Sequence, residues 1–230
     1  MTSSDEAEAR SVRQEVIHWT RKVGILPAIK LKQGKEVLPY VRALQQAGVR
    51  VVEITATTPG VLEALKIVKL ELGGDVRLGV GTVLDAETAR AAIVAGAELI
   101  VNPAVVPEVI AMAHRYGAAC FSGAFTATEC LSAMVAGADM VKIFPAALCG
   151  PRYLLNLKMV YPEIQLIPSG GIGLQNAAEF IKCGACAISG AREFVNEDMV
   201  QQHGFEWITA RTAEFIRVVE EARKSAYPLP

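Results

Sequence analysis

The chain predicts an α/β fold, a single (β/α)8 TIM barrel with an extra N-terminal helix, and three observations carry that expectation. Glycines at 48, 96, 117, 137 and 184 each end a helical stretch, and a short apolar run follows each one. A glycine C-cap leading through a short αβ connection into a buried strand produces this pattern. The punctuation is regular: Gly96, Gly117 and Gly137 are evenly spaced, and the wider gaps on either side each fit two units. The runs themselves are too uniformly apolar for a sheet with one solvated face, so they read as parallel strands covered by helices. An open doubly wound sheet is the runner-up. A length of 230 residues suits one such barrel, and one domain over residues 1–230 is expected, with the barrel from about 25 to 224.

In chain order, residues 5–22 read as a helix, with Val12, Val16, Ile17 and Trp19 on its apolar face and charges elsewhere. Eight strands are expected over 25–30, 49–55, 76–83, 99–105, 119–124, 140–146, 164–169 and 186–191. A helical stretch follows each, the last covering 205–224.

Composition excludes several classes. Hydrophobic residues make up 52% and charged residues 20%, which suits a large core. A net charge of −1 gives no sign of nucleic acid or an anionic membrane as partner. The acidic start, Met1 to Glu8, lacks the apolar segment of a secretion signal, and no apolar run approaches a membrane span. Five cysteines in apolar contexts suit reduced thiols, so a soluble cytoplasmic protein is expected. Cys183 and Cys186 have CxxC spacing, but no second pair completes a zinc site, and no metal or cofactor is assigned.

In a β/α barrel the chemistry gathers at the carboxyl ends of the strands, so polar residues there carry the functional information. Lys142 interrupts the apolar run Met140–Ala146. Burial disfavours a lysine's charged form, and a neutral amine is the nucleophile that condenses with ketones. An ion pair or escape to solvent would account for the same lysine. Glu53 is the second charge set inside a strand, placed either to move protons or to neutralise Lys142 or Lys30. The two readings are compatible, because a Schiff-base lysine beside a proton-shuttling carboxyl is the minimum apparatus of a class I aldolase. Ser169-Gly170-Gly171 and Ser189-Gly190 follow the last two strands, where barrels present backbone N–H groups to phosphate, although tight turns look the same.

Four motifs in order, Val51-Val52-Glu53-Ile54-Thr55, Gly79-Val80-Gly81-Thr82-Val83, Val141-Lys142-Ile143-Phe144-Pro145-Ala146 and Ile167-Pro168-Ser169-Gly170-Gly171-Ile172, resemble the KDPG/KHG aldolase family. The resemblance covers about Ile25 to Phe194. It implies a class I aldolase that needs no metal, forms a homotrimer, and cleaves a 2-keto-4-hydroxy acid such as 2-keto-3-deoxy-6-phosphogluconate or 4-hydroxy-2-oxoglutarate to pyruvate and an aldehyde. Carried over by position, it implies Lys142 as the Schiff-base lysine and Glu53 as general acid/base. Thr82 would lie against the pyruvyl group, Phe144 and Pro145 would wall its pocket, and Gly170 with Gly171 would bind phosphate.

Two positions depart from the family pattern. Thr57 stands where many members carry an arginine for the substrate carboxylate, and a hydroxyl cannot replace a bidentate fork. Lys30 at the end of the first strand is the candidate substitute cation. Ala191 stands where phosphate-binding members often have serine. These departures keep two other functions in view, a barrel that binds a keto acid without catalysis and a phosphate-binding isomerase or epimerase using Glu53 and Lys142 without a covalent intermediate.

Overall fold

Eight parallel strands alternate with helices in the computed structural model, which describes residues 10–227. Helix α1 (Val12–Val23) precedes β1 (Ile25–Ile29), α2 (Val37–Gln46), β2 (Val51–Thr55), α3 (Val61–Leu72) and β3 (Arg77–Gly81). Then come α4 (Ala86–Val94), β4 (Leu99–Asn102), α5 (Pro107–Arg115), β5 (Ala119–Ala124), α6 (Ala127–Val135) and β6 (Met140–Ile143). The chain continues through α7 (Pro151–Val160), β7 (Leu166–Pro168), α8 (Leu174–Lys182), β8 (Ile188–Gly190), α9 (Glu197–His203) and α10 (Glu206–Arg223). No helix among the described residues is long and apolar enough to cross a membrane.

All eight strands fall within the expected segments, and several are shorter for local reasons. β4 ends before Pro103 and β6 stops before Phe144-Pro145, because proline has no N–H for the ladder. β2 starts late because Val49 N–H is occupied by Leu44 O, closing the end of α2. Helix α1 begins at Val12: Ser11 and Gln14 form a reciprocal capping box there. The expected start at residues 5–9 lies outside the described residues. Helix α9 was not expected, although Asn196, whose Oδ1 accepts from the N–H groups of Asp198 and Met199, is an ordinary N-cap followed by two acidic residues.

Strand order around the sheet is β7-β6-β5-β4-β3-β2-β1-β8, all parallel. Two isolated parallel bridges, Leu166 to Ala185 and Ser169 to Ser189, carry β7 back to β8 and bring the ring round. Side chains alternate along each strand between the outer helices and the interior. The outer set, including Ile25, Val52, Ile54, Ile100 and Ile188, packs with the helices in one core. The inner set, Leu26, Val51, Leu99, Val101, Phe121, Met140, Ile167 and Ala187, fills the lower barrel.

Helix α1 closes the amino-terminal mouth: Val16 belongs to the inner core, with Ile17 and Trp19 packed against it. Charged clamps hold it there. Arg13 reaches Asp139 with Nε and Nη2, at 2.8 and 2.7 Å. Glu15 pairs with Arg77, which also contacts Glu98 at 2.8 Å. At the other end of the helix Arg223 donates to the carbonyls of Arg21, Lys22 and Cys186.

Asp139 is nearly buried and also accepts from Cys120 N–H (2.8 Å) and His114 Nε2 (3.2 Å). Replacing it leaves those donors and Arg13 without their acceptor. Asp139→Ala is therefore expected to destabilise the fold by about 3 kcal/mol, read as a lower urea midpoint at unchanged m-value.

Candidate active site

Lys142 and Glu53 face each other across the barrel interior. Pairing places Lys142 of β6 beside Gly123 and Ile167, and Glu53 of β2 beside Ala28 and Gly79. Both side chains are inward members of their strands, and Lys142 Nζ lies 3.2 Å from Glu53 Oε2. The lysine side chain is 12% exposed and the carboxylate 2%. Of the two lysines that could neutralise Glu53, the structure pairs it with Lys142. Lys30 follows β1 as an exposed residue on the barrel rim.

Burial alone does not single out Lys142. Lys158 on α7 is also buried, and burial pulls its ammonium down from its ordinary range. Its Nζ, however, donates to the carbonyls of Pro162 and Ile164 outside the barrel, where it ties down the end of a helix. Lys142 is the buried lysine set inside the strand ring beside a carboxyl.

The inward positions over the Lys142 and Glu53 level are Ala28, Gly81, Gly123 and Ser169, all small. Gly81 has a stricter role: a Cβ there would lie 1.6 Å from Glu53 Oε1. A Cβ on Gly123 would similarly meet Pro103 C at 2.1 Å. Neither glycine needs an unusual backbone, so the requirement is close approach. The sequence reading quoted Gly81 only as part of a motif. The signal was its place, the side-chain-free inward position of β3 next to the carboxylate.

Thr82 follows Gly81 with φ +61°, alone among described non-glycine residues in having positive φ. A β-branched residue held in that region is strained, as functional turns often are. Thr57 is exposed, and its hydroxyl shares a 3.0 Å hydrogen bond with Thr55, which lies 3.4 Å from Thr58 Oγ1. Thr58 Oγ1 accepts from Leu31 N–H (3.3 Å), so this hydroxyl cluster fixes the loop that carries Lys30.

Phe144 and Pro145 leave β6 toward the mouth, Phe144 being 47% exposed. Gly170 and Gly171 pack against this segment with φ +85° and +75°; a Cβ would meet the Phe144 ring at 3.0 Å and Ala147 Cβ at 2.5 Å. Their N–H groups meet no protein acceptor among the described residues, while Gly170 O accepts from Ala147 N–H. Ser169 and Ser189 are buried on adjoining strands, and Gly190 ends β8.

A depression of about 1370 Å³ at the opposite mouth, beside α1, is lined by Arg10, His18, Arg21, Lys22 and Arg223. Its lysine, Lys22, is exposed, with Nζ 4.6 Å from the Trp19 ring centroid. Cys183 and Cys186 diverge in surroundings. Burial raises both thiols, Cys186 to about 11, and Cys186 Sγ donates to Leu166 O at 3.2 Å.

The Lys142 amine and the Glu53 carboxyl are thus hydrogen-bonded inside the strand ring, below a layer of small residues. Residues 16–211 match the family described as KDPG and KHG aldolase. The 2-dehydro-3-deoxy-phosphogluconate aldolase of Treponema pallidum is 32% identical over 199 residues, 86% of this chain and 94% of its own. The 2-dehydro-3-deoxy-6-phosphogalactonate aldolase of Escherichia coli is 32% identical over 208 residues, 90% and 99% of the two chains. The structure of KDPG aldolase from Legionella pneumophila, with pyruvate captured as a covalent carbinolamine, superposes with a TM-score of 0.76 at 26% identity, over 83% of this chain and 92% of that one. The chain belongs to the KDPG and KHG aldolase family.

Gly81→Ala is expected to displace the Glu53 carboxylate and lower kcat/KM by at least about a hundredfold, with the protein still folded. Steady-state kinetics and circular dichroism together check this.

Proposed function

We propose that this aldolase cleaves a 2-keto-4-hydroxy acid through an iminium on Lys142, with Glu53 moving every proton and pyruvate as one product. The observation that carries the reading is the 3.2 Å contact of two nearly buried side chains on β6 and β2, beneath a layer of small residues. Transfer of a proton from Lys142 to Glu53 leaves a neutral amine and a carboxylic acid. The amine attacks C2 of the keto acid; the oxygen takes the proton of Glu53, and the nitrogen returns one to it. Glu53 then protonates the carbinolamine hydroxyl, which leaves as water, and the nitrogen lone pair forms the iminium. The carboxylate so produced takes the proton of the C4 hydroxyl. The C3–C4 bond breaks, its electrons flow into the iminium to make an enamine, and the aldehyde departs. Glu53 returns that proton to C3, and water releases pyruvate.

The mouth residues divide along the substrate. Thr82, Phe144 and Pro145 wall the pyruvyl end, and Lys30 and Thr57 bind the carboxylate. Phosphate or another distal anion binds at Ser169, Gly170, Gly171, Ser189 and Gly190. The free N–H groups of the paired glycines support that assignment. A homotrimer in the cytoplasm completes the reading. The exposure of the apolar side chains Phe125, Leu131, Val135 and Leu148 supports self-association.

Borohydride reduction in the presence of pyruvate tests the proposal. A stable adduct on the intact protein, lost in Lys142→Ala, is expected; no adduct on the parent would overturn it. Glu53→Gln is expected to lower turnover by about 10²- to 10⁴-fold while trapping persists, and unchanged turnover would remove Glu53 from proton transfer.

A further inference from the structure

The strand ring places one more polar group at the depth of the reacting pair. In a barrel of this kind, inward residues of alternate strands form layers of four. With the stagger set by the observed pairings, the layer of Glu53 on β2 and Lys142 on β6 is completed by Val101 on β4 and Ser189 on β8. Ser189 points inward: Ala187 belongs to the inner core, and Ile188 between them to the outer one. It is 0% exposed, and its hydroxyl hydrogen-bonds no protein atom.

A buried hydroxyl without a partner costs stability, so the Ser189 hydroxyl is left free to bond a further partner. The other buried unpartnered side-chain atoms among the described residues lie elsewhere, on α1 (Thr20), α10 (Arg211, Thr212) and the outward side of β4 (Asn102). Below Ser189 on its strand is Ala187, and beyond it comes Ala191, so neither inward neighbour covers it with bulk.

We propose that the Ser189 hydroxyl binds the oxygen that leaves C2 when the carbinolamine collapses. This rests on Lys142 being the Schiff-base lysine. In that step the C2–O bond breaks and the nitrogen lone pair makes the C=N bond. The oxygen departs as water with the proton from Glu53, while the Ser189 O–H donates a hydrogen bond to it and keeps its own proton. In the reverse direction the same hydroxyl holds the water that hydrolyses the product iminium. The serine's backbone lies in β8 just before Gly190, on the side proposed for a distal anion; its hydroxyl serves the other end of the substrate.

Exchange of the keto oxygen of [2-18O]pyruvate with solvent reads this step, because each passage through the iminium washes out the label. Above the uncatalysed hydration background, Ser189→Ala and Ser189→Gly are expected to exchange about tenfold more slowly than the parent, as for loss of one hydrogen bond to a reacting group. Because the hydroxyl has no protein partner, Ser189→Ala is expected to leave Tm unchanged or raised, which a structural role would not produce. Exchange within twofold of the parent in both variants, or a lowered Tm in Ser189→Ala with exchange unaffected, overturns the proposal. A parent that does not exchange, or a Lys142→Ala variant that does, overturns the reading of Lys142 and this proposal with it.

Discussion

Placing an ammonium and a carboxylate inside a strand ring costs more in lost hydration than their attraction returns, unless geometry and surroundings are arranged for it. The Lys142–Glu53 pair is the constraint around which this barrel is built. Beneath it the interior is filled with Leu26, Val51, Leu99, Phe121, Met140 and Ile167, and helix α1 seals the lower mouth. Above it the inward positions shrink to alanine, glycine and serine, and two of them, Gly81 and Gly123, leave the room that the Glu53 carboxylate and the Pro103 backbone occupy. The pair thus sits at the boundary between bulky and small inward residues.

The arrangement separates stability from chemistry along the barrel axis. The clamps of Arg13 on Asp139 and Arg77 on Glu15 and Glu98 lie at the amino-terminal end, with helix α1. The strained and close-approach positions, Thr82, Gly81, Gly123, Gly170 and Gly171, lie at the carboxyl end. Such a division lets the loops at one mouth vary while the closed end carries the core. It bears on the departure from the family pattern at Thr57. Thr57 is tied into a hydroxyl cluster that fixes the β1 loop, and Lys30 stands on that loop at the rim, above the packed layers of the barrel.

Much of this was legible in the sequence. The glycine punctuation marked five of the eight strands because φ above zero after a helix favours glycine, the gaps between them left room for two more, and Lys142 and Glu53 stood out because charge is rare inside apolar runs. Strand ends were less legible: Pro103 and Pro145 end the ladder earlier than hydrophobicity does. Helix α9 was hidden by its shortness, although the Asn196 cap was present. The depth of each inward residue could not be read at all, because it depends on how eight strands stagger against one another. That stagger makes Gly81 the space for a carboxylate and sets Ser189 level with Lys142, while Gly79 and Ala191 sit lower and higher.

The central claim is that carbonyl chemistry occurs at Lys142, within the layer it shares with Glu53. A crystal structure of the protein reduced with borohydride in the presence of pyruvate tests it most directly. The account predicts continuous density from Lys142 Nζ to C2 of the pyruvyl group, with the Glu53 carboxylate beside that bond and the three-carbon unit under Gly81 and Gly123. An adduct on Lys30 or Lys22, or an unmodified Lys142 still paired with Glu53, would contradict it.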